Sequence, residues 1–219
     1  MTSPSVPIPK KPRTRYHHGD LRRALVSEAV RTIREEGVDA LTLRAAGKRL
    51  GVSQTALYRH FQDKAALLAA VATEGFRMLR VALDEAWSQG RGGIKAFHAM
   101  GVAYVRFARL NPSHYRVMFG GFVDDLIAEP ELHTEASAAF QSLVDAIVAQ
   151  QHLRVVRHED PEQVARFVWA AVHGLAMLTI DGRFGKHDGP IDDLIDYAVT
   201  RIRTGIAAER ATTARAPRR

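Results

Sequence analysis

The chain has 219 residues, 46% of them apolar and 25% charged, with a net charge of +7 and no cysteine. Those proportions suit a soluble globular protein of one or two domains. The lack of cysteine excludes disulfides, thiol catalysis and thiol redox sensing, and points to a reducing cytoplasm.

The opening "MTSPSVPIPKKPRTR" has four prolines and no helical or strand period. It is predicted as a disordered basic arm over residues 1–15, and its polarity argues against a secretory leader. A tail with no role is the alternative. Helical signals then follow one another. Gly19 or Asp20 can start a helix at Leu21, where Leu21, Leu25, Ala29 and Ile33 share a face and Gly37 supplies the stop. Thr42 can cap a second helix carrying Leu43, Ala46 and Leu50, ended by Gly51. Ser53 can cap a short third, and Asp63 a long fourth. Gly90 to Gly93 breaks the chain. Helices are then expected over 94–110, 115–119, 130–151, 161–181 and 191–208, with a loop from Gly182 to Gly189. The apolar run from Phe167 to Ile180 is too short to span a bilayer and reads as a buried core helix, so no membrane is expected. No segment alternates with a period of two. The fold class is therefore all-α.

The charge is unevenly placed. Residues 1–15 carry four cations and no acid, and residues 16–64 carry nine cations against six acids. Residues 65–207 carry fourteen against seventeen, and residues 208–219 four Arg against Glu209. One end of the chain is thus suited to a polyanion and the middle is not.

Residues 42–61 read as helix, tight glycine turn, helix. In the short second helix Ala56, Leu57 and Phe61 can pack inward with Val52, which turns Gln54, Thr55 and Tyr58 outward. Gln can bond an adenine edge, and Thr offers bases a hydroxyl and a methyl. Tyr, His and Lys can hold phosphates. A plain surface Tyr58 and a His60 that only caps or packs are the alternatives. Lys64 at a helix start is unfavourable for the helix dipole, which favours a phosphate contact there.

"LTLRAAGKRLGVSQTALYRHFQDKAALL" resembles the DNA-binding segment of TetR-type transcriptional regulators, and "YHHGDLRRALVSEAVRTIREEG" resembles that family's first helix. The resemblance implies that Gln54, Thr55 and Tyr58 lie on a recognition helix and that Thr42, Tyr58, His60 and Lys64 grip phosphates. Arg44 and Ser53 complete the expected double-stranded DNA-binding set. Gly47 departs from the family's usual alanine, at a cost of about 1 kcal/mol in helix propensity.

Further along, Phe97, Met100, Tyr104 and Phe107 form one stripe, and Tyr115, Met118, Phe119 and Phe122 follow it. Trp169, His173 and Met177 line one face of a later helix. Ordinary core is one reading of these stripes. "NPSHYRVMFG" and "VWAAVHGLAML" resemble, respectively, the ligand domains of TetR-type regulators and the Trp-x-x-x-His-Gly motif of the subgroup named WHG. The resemblance implies that all eleven surround a small-molecule effector cavity, with Tyr104 and His173 as its polar groups. The last two long helices carry Val164, Val168, Ala171 and Leu175, and Ile191, Leu194, Ile195, Ala198 and Ile202. By resemblance these pair with their copies in a homodimer, as a four-helix bundle.

His17 and His18 do not converge with His173, and no metal or cofactor set is apparent. No catalytic motif occurs in a believable context. The expected organisation is a basic arm at 1–15, a three-helix helix-turn-helix domain at 16–64, and a tail at 209–219. A long helix joins the DNA-binding domain to a helical-bundle effector and dimerisation domain at 65–208. The expected function is a cytoplasmic repressor released from a palindromic operator by a small, mainly apolar effector. An effector-independent DNA-binding protein, or a helical enzyme or carrier, remains open from sequence.

Overall fold

A computed structural model of the protein describes residues 18–122, 129–184 and 190–208. The expected arm at 1–15, the tail at 209–219, His17 and most of the loop at 182–189 lie outside the described residues. Among the described residues there are nine α-helices, no named strand and one isolated bridge, between Val156 and Ala207. The fold is all-α. Contacts divide the chain into two compact units, with the boundary between Leu67 and Leu68.

The first unit holds α1 (His18–Glu36), α2 (Leu43–Leu50), α3 (Gln54–Tyr58) and the start of α4 (Lys64–Gln89). The local signals act as the residues dictate. Thr42 Oγ1 accepts from the Ala45 N–H at 3.1 Å, Ser53 Oγ from Ala56 at 3.3 Å and Asp63 Oδ1 from Ala66 at 2.8 Å. Each satisfies an amide that the first helical turn leaves without a partner. Gly51 sits at φ 68°, a left-handed conformation that glycine adopts without steric cost, and turns the chain between α2 and α3. Leu25, Leu41, Leu57 and Leu67 are fully buried at the centre. Leu57 packs against Gly47, where an added Cβ would lie 3.4 Å from Leu57 Cδ2 and 3.5 Å from Val52 Cγ2.

One polar cluster braces α1 against α2. Glu28 is buried on α1 and accepts from Arg31 Nη2 at 2.8 Å and from Arg49 Nη1 of α2 at 3.3 Å. Arg49 also reaches Thr32 Oγ1 at 3.0 Å and pairs with Glu36. A buried carboxylate is tolerable because cations and hydroxyls surround it.

The second unit contains the rest of α4 together with α5 (Ile94–Leu110), α6 (Pro112–Phe119), α7 (Pro130–His152), α8 (Pro161–Ile180) and α9 (Ile191–Gly205). The sixth helix starts at Pro112 rather than Tyr115, because proline is well placed in a first turn, where its missing N–H is not needed. Helix α5 is central and packs against α6, α7, α8 and α9. Gly101 brings α5 close to α9; a Cβ there would meet Val199 Cγ1 at 2.7 Å. Arg109 to Asp192 at 2.7 Å and His98 to Asp196 at 2.8 Å tie the same pair of helices.

Helix α8 is long and apolar enough, by composition, to cross a bilayer. It packs instead against α5, α7 and α9. The expectation of a buried core helix over Phe167 to Ile180 holds only for part of its surface, because Phe167 is 55% exposed and Leu178 also faces outward. The helix is apolar on two faces, one of them turned away from its own chain.

Candidate nucleic-acid interface and ligand cavity

In the first unit the outward face of the α2–turn–α3 corner carries Thr42, Arg44, Ser53, Gln54, Thr55 and Tyr58, all exposed, with Tyr58 at 48%. His60 and Lys64 are half-buried beside them in sequence. Helix α3 spans only five residues and is held by Leu57 and Phe61 beneath it. A helix of that length has little stability of its own, so its solvent face is free of packing demands. Thr42 and Ser53 spend one lone pair each on helix caps. Lys64 is less free than its sequence suggests, because its Nζ donates to the Val38 carbonyl at 2.8 Å. That bond fixes the start of α4 to the α1–α2 loop and leaves two of the three ammonium protons for another acceptor.

The second unit holds a half-open cavity of about 620 Å3 between α4, α5, α6, α7, α8 and α9. This is within the range of small-molecule sites, roughly 300–1,000 Å3. Phe97, Met100, Tyr104, Met118, Phe119 and Trp169 of the expected set line it. Phe107, Tyr115, Phe122, His173 and Met177 do not. The sequence missed much of the wall: Phe76 and Leu83 of α4, Ser137, Phe140 and Gln141 of α7, and Glu162, Arg166 and Arg203 at the ends of α8 and α9. Helix α7 shows no clean apolar stripe, so its inner face could not be chosen. A cation four residues beyond the buried Val199 was a signal that could have been read.

Tyr115 and His173 belong to a polar relay behind the wall. Trp169 Nε1–H donates to the Tyr104 hydroxyl at 3.1 Å. The Tyr115 hydroxyl lies 3.0 Å from that of Tyr104 and 2.8 Å from His173 Nδ1. His173 stacks on Tyr115 and meets the Phe119 ring edge-on, with centroids 5.6 and 4.6 Å apart. Burial pushes the Tyr104 phenol up to about 12 and Tyr115 higher still, so both stay protonated. Burial also holds the His173 imidazole below its ordinary range, so it is neutral near pH 7. A neutral imidazole has one donor and one acceptor nitrogen. With the proton on Nδ1, His173 donates to Tyr115, Tyr115 donates to Tyr104, and the Tyr104 proton can turn into the cavity. With the proton on Nε2, the chain reverses and Tyr104 shows the cavity only a lone pair. The His173 tautomer thus sets whether the wall offers a donor or an acceptor.

The expected dimer positions are only partly outward. Val164, Val168, Leu175 and Ile195 are buried within their own chain, and Val168 and Ile202 line the cavity. Ala171, Ile191, Leu194 and Ala198 are half-exposed. The outward stripe of α8 is shifted by about one residue, to Phe167, Ala170, Gly174 and Leu178, and on α9 it runs through Leu194, Tyr197 and Ala198. Tyr197 is 58% exposed, with Arg201 stacked 5.0 Å from its ring centroid.

A capped helix-turn-helix corner with a polar outer face, followed in the chain by a helical unit around an apolar cavity, defines the class of helix-turn-helix regulators. Residues 25–71 match the description "Bacterial regulatory proteins, tetR family" and residues 97–202 match "Tetracyclin repressor-like, C-terminal domain". The chain is 29% identical to an uncharacterized HTH-type transcriptional regulator of Mycobacterium tuberculosis, over 88% of this chain and 83% of that protein. It is 50% identical to the class A tetracycline repressor of Escherichia coli over 48 residues, 22% of each chain. Among solved structures, a protein of unknown function from Rhodococcus sp. RHA1 is similar with a TM-score of 0.76 and 31% identity, covering 89% of this chain and 99% of that one. A tetR-family regulatory protein from Rhodococcus RHA1 shares the fold, with a TM-score of 0.67 and 16% identity over 86% and 98% of the two chains. The chain belongs to the TetR family and is a DNA-binding transcriptional regulator.

Proposed function

We propose that this regulator is a cytoplasmic, homodimeric repressor, released from a near-palindromic operator by a small, mainly apolar effector. The observation that carries the ligand response is the 620 Å3 cavity, walled by Phe76, Phe97, Met100, Phe140 and Trp169 rather than filled by them. A helical core packs to high density unless a space is kept for something. An effector-independent DNA-binding protein would be expected to have that space filled, so the cavity counts against this second reading.

DNA recognition is assigned to Gln54 and Thr55 at base edges, with Thr42, Arg44, Ser53, Tyr58, His60 and Lys64 at phosphates. The support is their shared exposed or half-exposed position around α3 and the excess of cations over acids in residues 16–64. Dimerisation is assigned to the outward stripes of α8 and α9, because Phe167, Leu178 and Tyr197 would otherwise leave large apolar side chains in water. Two-fold symmetry then matches two half-sites of an operator. The effector acts by favouring a state of the dimer whose recognition helices no longer match the groove spacing. Family membership supports reading the chain as a regulator rather than an enzyme.

The test is to select genomic DNA fragments with the purified protein and sequence them. A single near-palindromic motif is the expected result. Enrichment of no motif would remove the operator reading.

A further inference from the structure

The rim of the cavity carries charge that its apolar interior does not explain. Glu162 and Arg166 stand in the first turns of α8, and Arg203 in the last turn of α9. The two helix ends are held together. The Val156–Ala207 bridge joins the segments flanking them, the Arg157 N–H donates to the Ile206 carbonyl at 3.1 Å, and Arg157 Nη2 donates to Gly205 O at 2.7 Å. The three charged residues therefore occupy one end of the cavity. Glu162 and Arg166 compensate each other, with Oε2 and Nη2 at 2.7 Å. Arg203 has no acidic partner among the described residues. It stands one turn beyond the buried Val199, on the inward side of α9, while Arg201 covers the outward side on Tyr197. A half-exposed guanidinium lining an apolar space, with no acidic partner among the described residues, is placed to meet an anion there. Two cations and one anion leave the rim with one positive charge.

We infer that the cavity takes an elongated, largely apolar monoanion, with a fatty carboxylate as its simplest form. The carboxylate sits on Arg203, flanked by the Glu162–Arg166 pair, and the chain lies inward along Phe97, Met100 and Trp169. Arg is suited to this because its fork can meet both carboxylate oxygens at once. The inference rests on the cavity being the effector site, and deepens it by fixing the ligand's charge and direction.

The test uses the full chain and three probes of equal length, decanoate, 1-decanol and decylamine, titrated by calorimetry and by Trp169 fluorescence in a Trp87→Phe background. Decanoate should bind about tenfold or more tightly than decanol, as a charge-assisted contact requires, and decylamine should bind least. Arg203→Gln should reduce decanoate to the level of decanol and leave decanol unchanged. Arg203→Glu should reverse the order and favour decylamine, an outcome that simple loss of folding cannot produce. Equal binding of decanoate and decanol overturns the anionic class while leaving an apolar effector site intact. A decanoate preference that survives Arg203→Gln overturns the placement of the charge. Failure of all three probes to bind overturns the cavity reading and the monoanion with it.

Discussion

His173 stands one contact behind the cavity wall, and its burial has a consequence for stability. Its folded-state proton affinity is depressed from the ordinary 6.5, so below about that pH the unfolded chain binds more protons at this site than the folded one. The stability it contributes is complete above pH 6.5 and declines as pH falls toward the depressed folded value. Urea denaturation at about pH 7.5 and about pH 5 should show a larger acid loss in the wild type than in His173→Gln. Equal losses would mean that the imidazole is not desolvated. Gly47 offers a second residue-scale test. Its backbone is helical, and the space beside it would place a Cβ at ordinary contact distances from Leu57 and Val52. Gly47→Ala should therefore raise the stability of the chain by about 1 kcal/mol, read from the urea midpoint. A loss of stability would show that α2 cannot give by even a few tenths of an ångström. Gln54→Ala should leave folding intact, because the side chain is exposed, and change the selected DNA motif at a cost of roughly 1–3 kcal/mol. An unchanged motif and affinity would remove Gln54 from base reading.

At the scale of elements, the helices and their ends were legible because their causes are local. Thr42, Ser53, Asp63 and Gly51 act within one turn of themselves, and each occupies the cap or turn its residue type suggests. What was not legible is which face of an element meets what. Helix α8 is apolar around most of its circumference, so Val164–Val168–Ala171–Leu175 and Phe167–Ala170–Gly174–Leu178 look alike as stripes. Only the packing of α5, α7 and α9 separates an inner face from an outer one. The cavity was half-legible for the same reason: aromatic residues at helical spacing mark a core, but a void among them is a property of six helices together. The relay from Trp169 to His173 was foreseen as residue types, not as a connected chain reaching Tyr115. The corrected stripe makes its own prediction. Phe167→Glu places a charge at the centre of an apolar helix face where no partner awaits it. Light scattering should report monomers, with the helical circular dichroism unchanged because Phe167 contributes little to its own chain's core. An intact dimer would move the interface off α8 and α9.

For the whole molecule, the proposed function sets two ligands of very different size in competition for one set of states. The DNA term is electrostatic and should show it. A dimer making on the order of 10 phosphate contacts should lose several decades of operator affinity across a few-fold rise in salt. A flat salt response would remove phosphate contact as the source of affinity. The effector term is apolar burial in the cavity, with a single charge at its rim, so its affinity should change far less with salt. The coupling between them is a free energy and must be reciprocal. If a cavity ligand weakens operator binding by some factor, saturating operator must weaken that ligand by the same factor. Both halves can be measured on one preparation: fluorescence anisotropy of a labelled operator with and without ligand, and the Trp169 signal of the ligand with and without operator. Trp169 suits the second measurement because it is 38% exposed and lines the cavity, with its Nε1–H on Tyr104. Equal factors are the expected result. If the ligand binds while operator affinity does not change, the cavity is filled without consequence for DNA, and release of the operator must come from another cause.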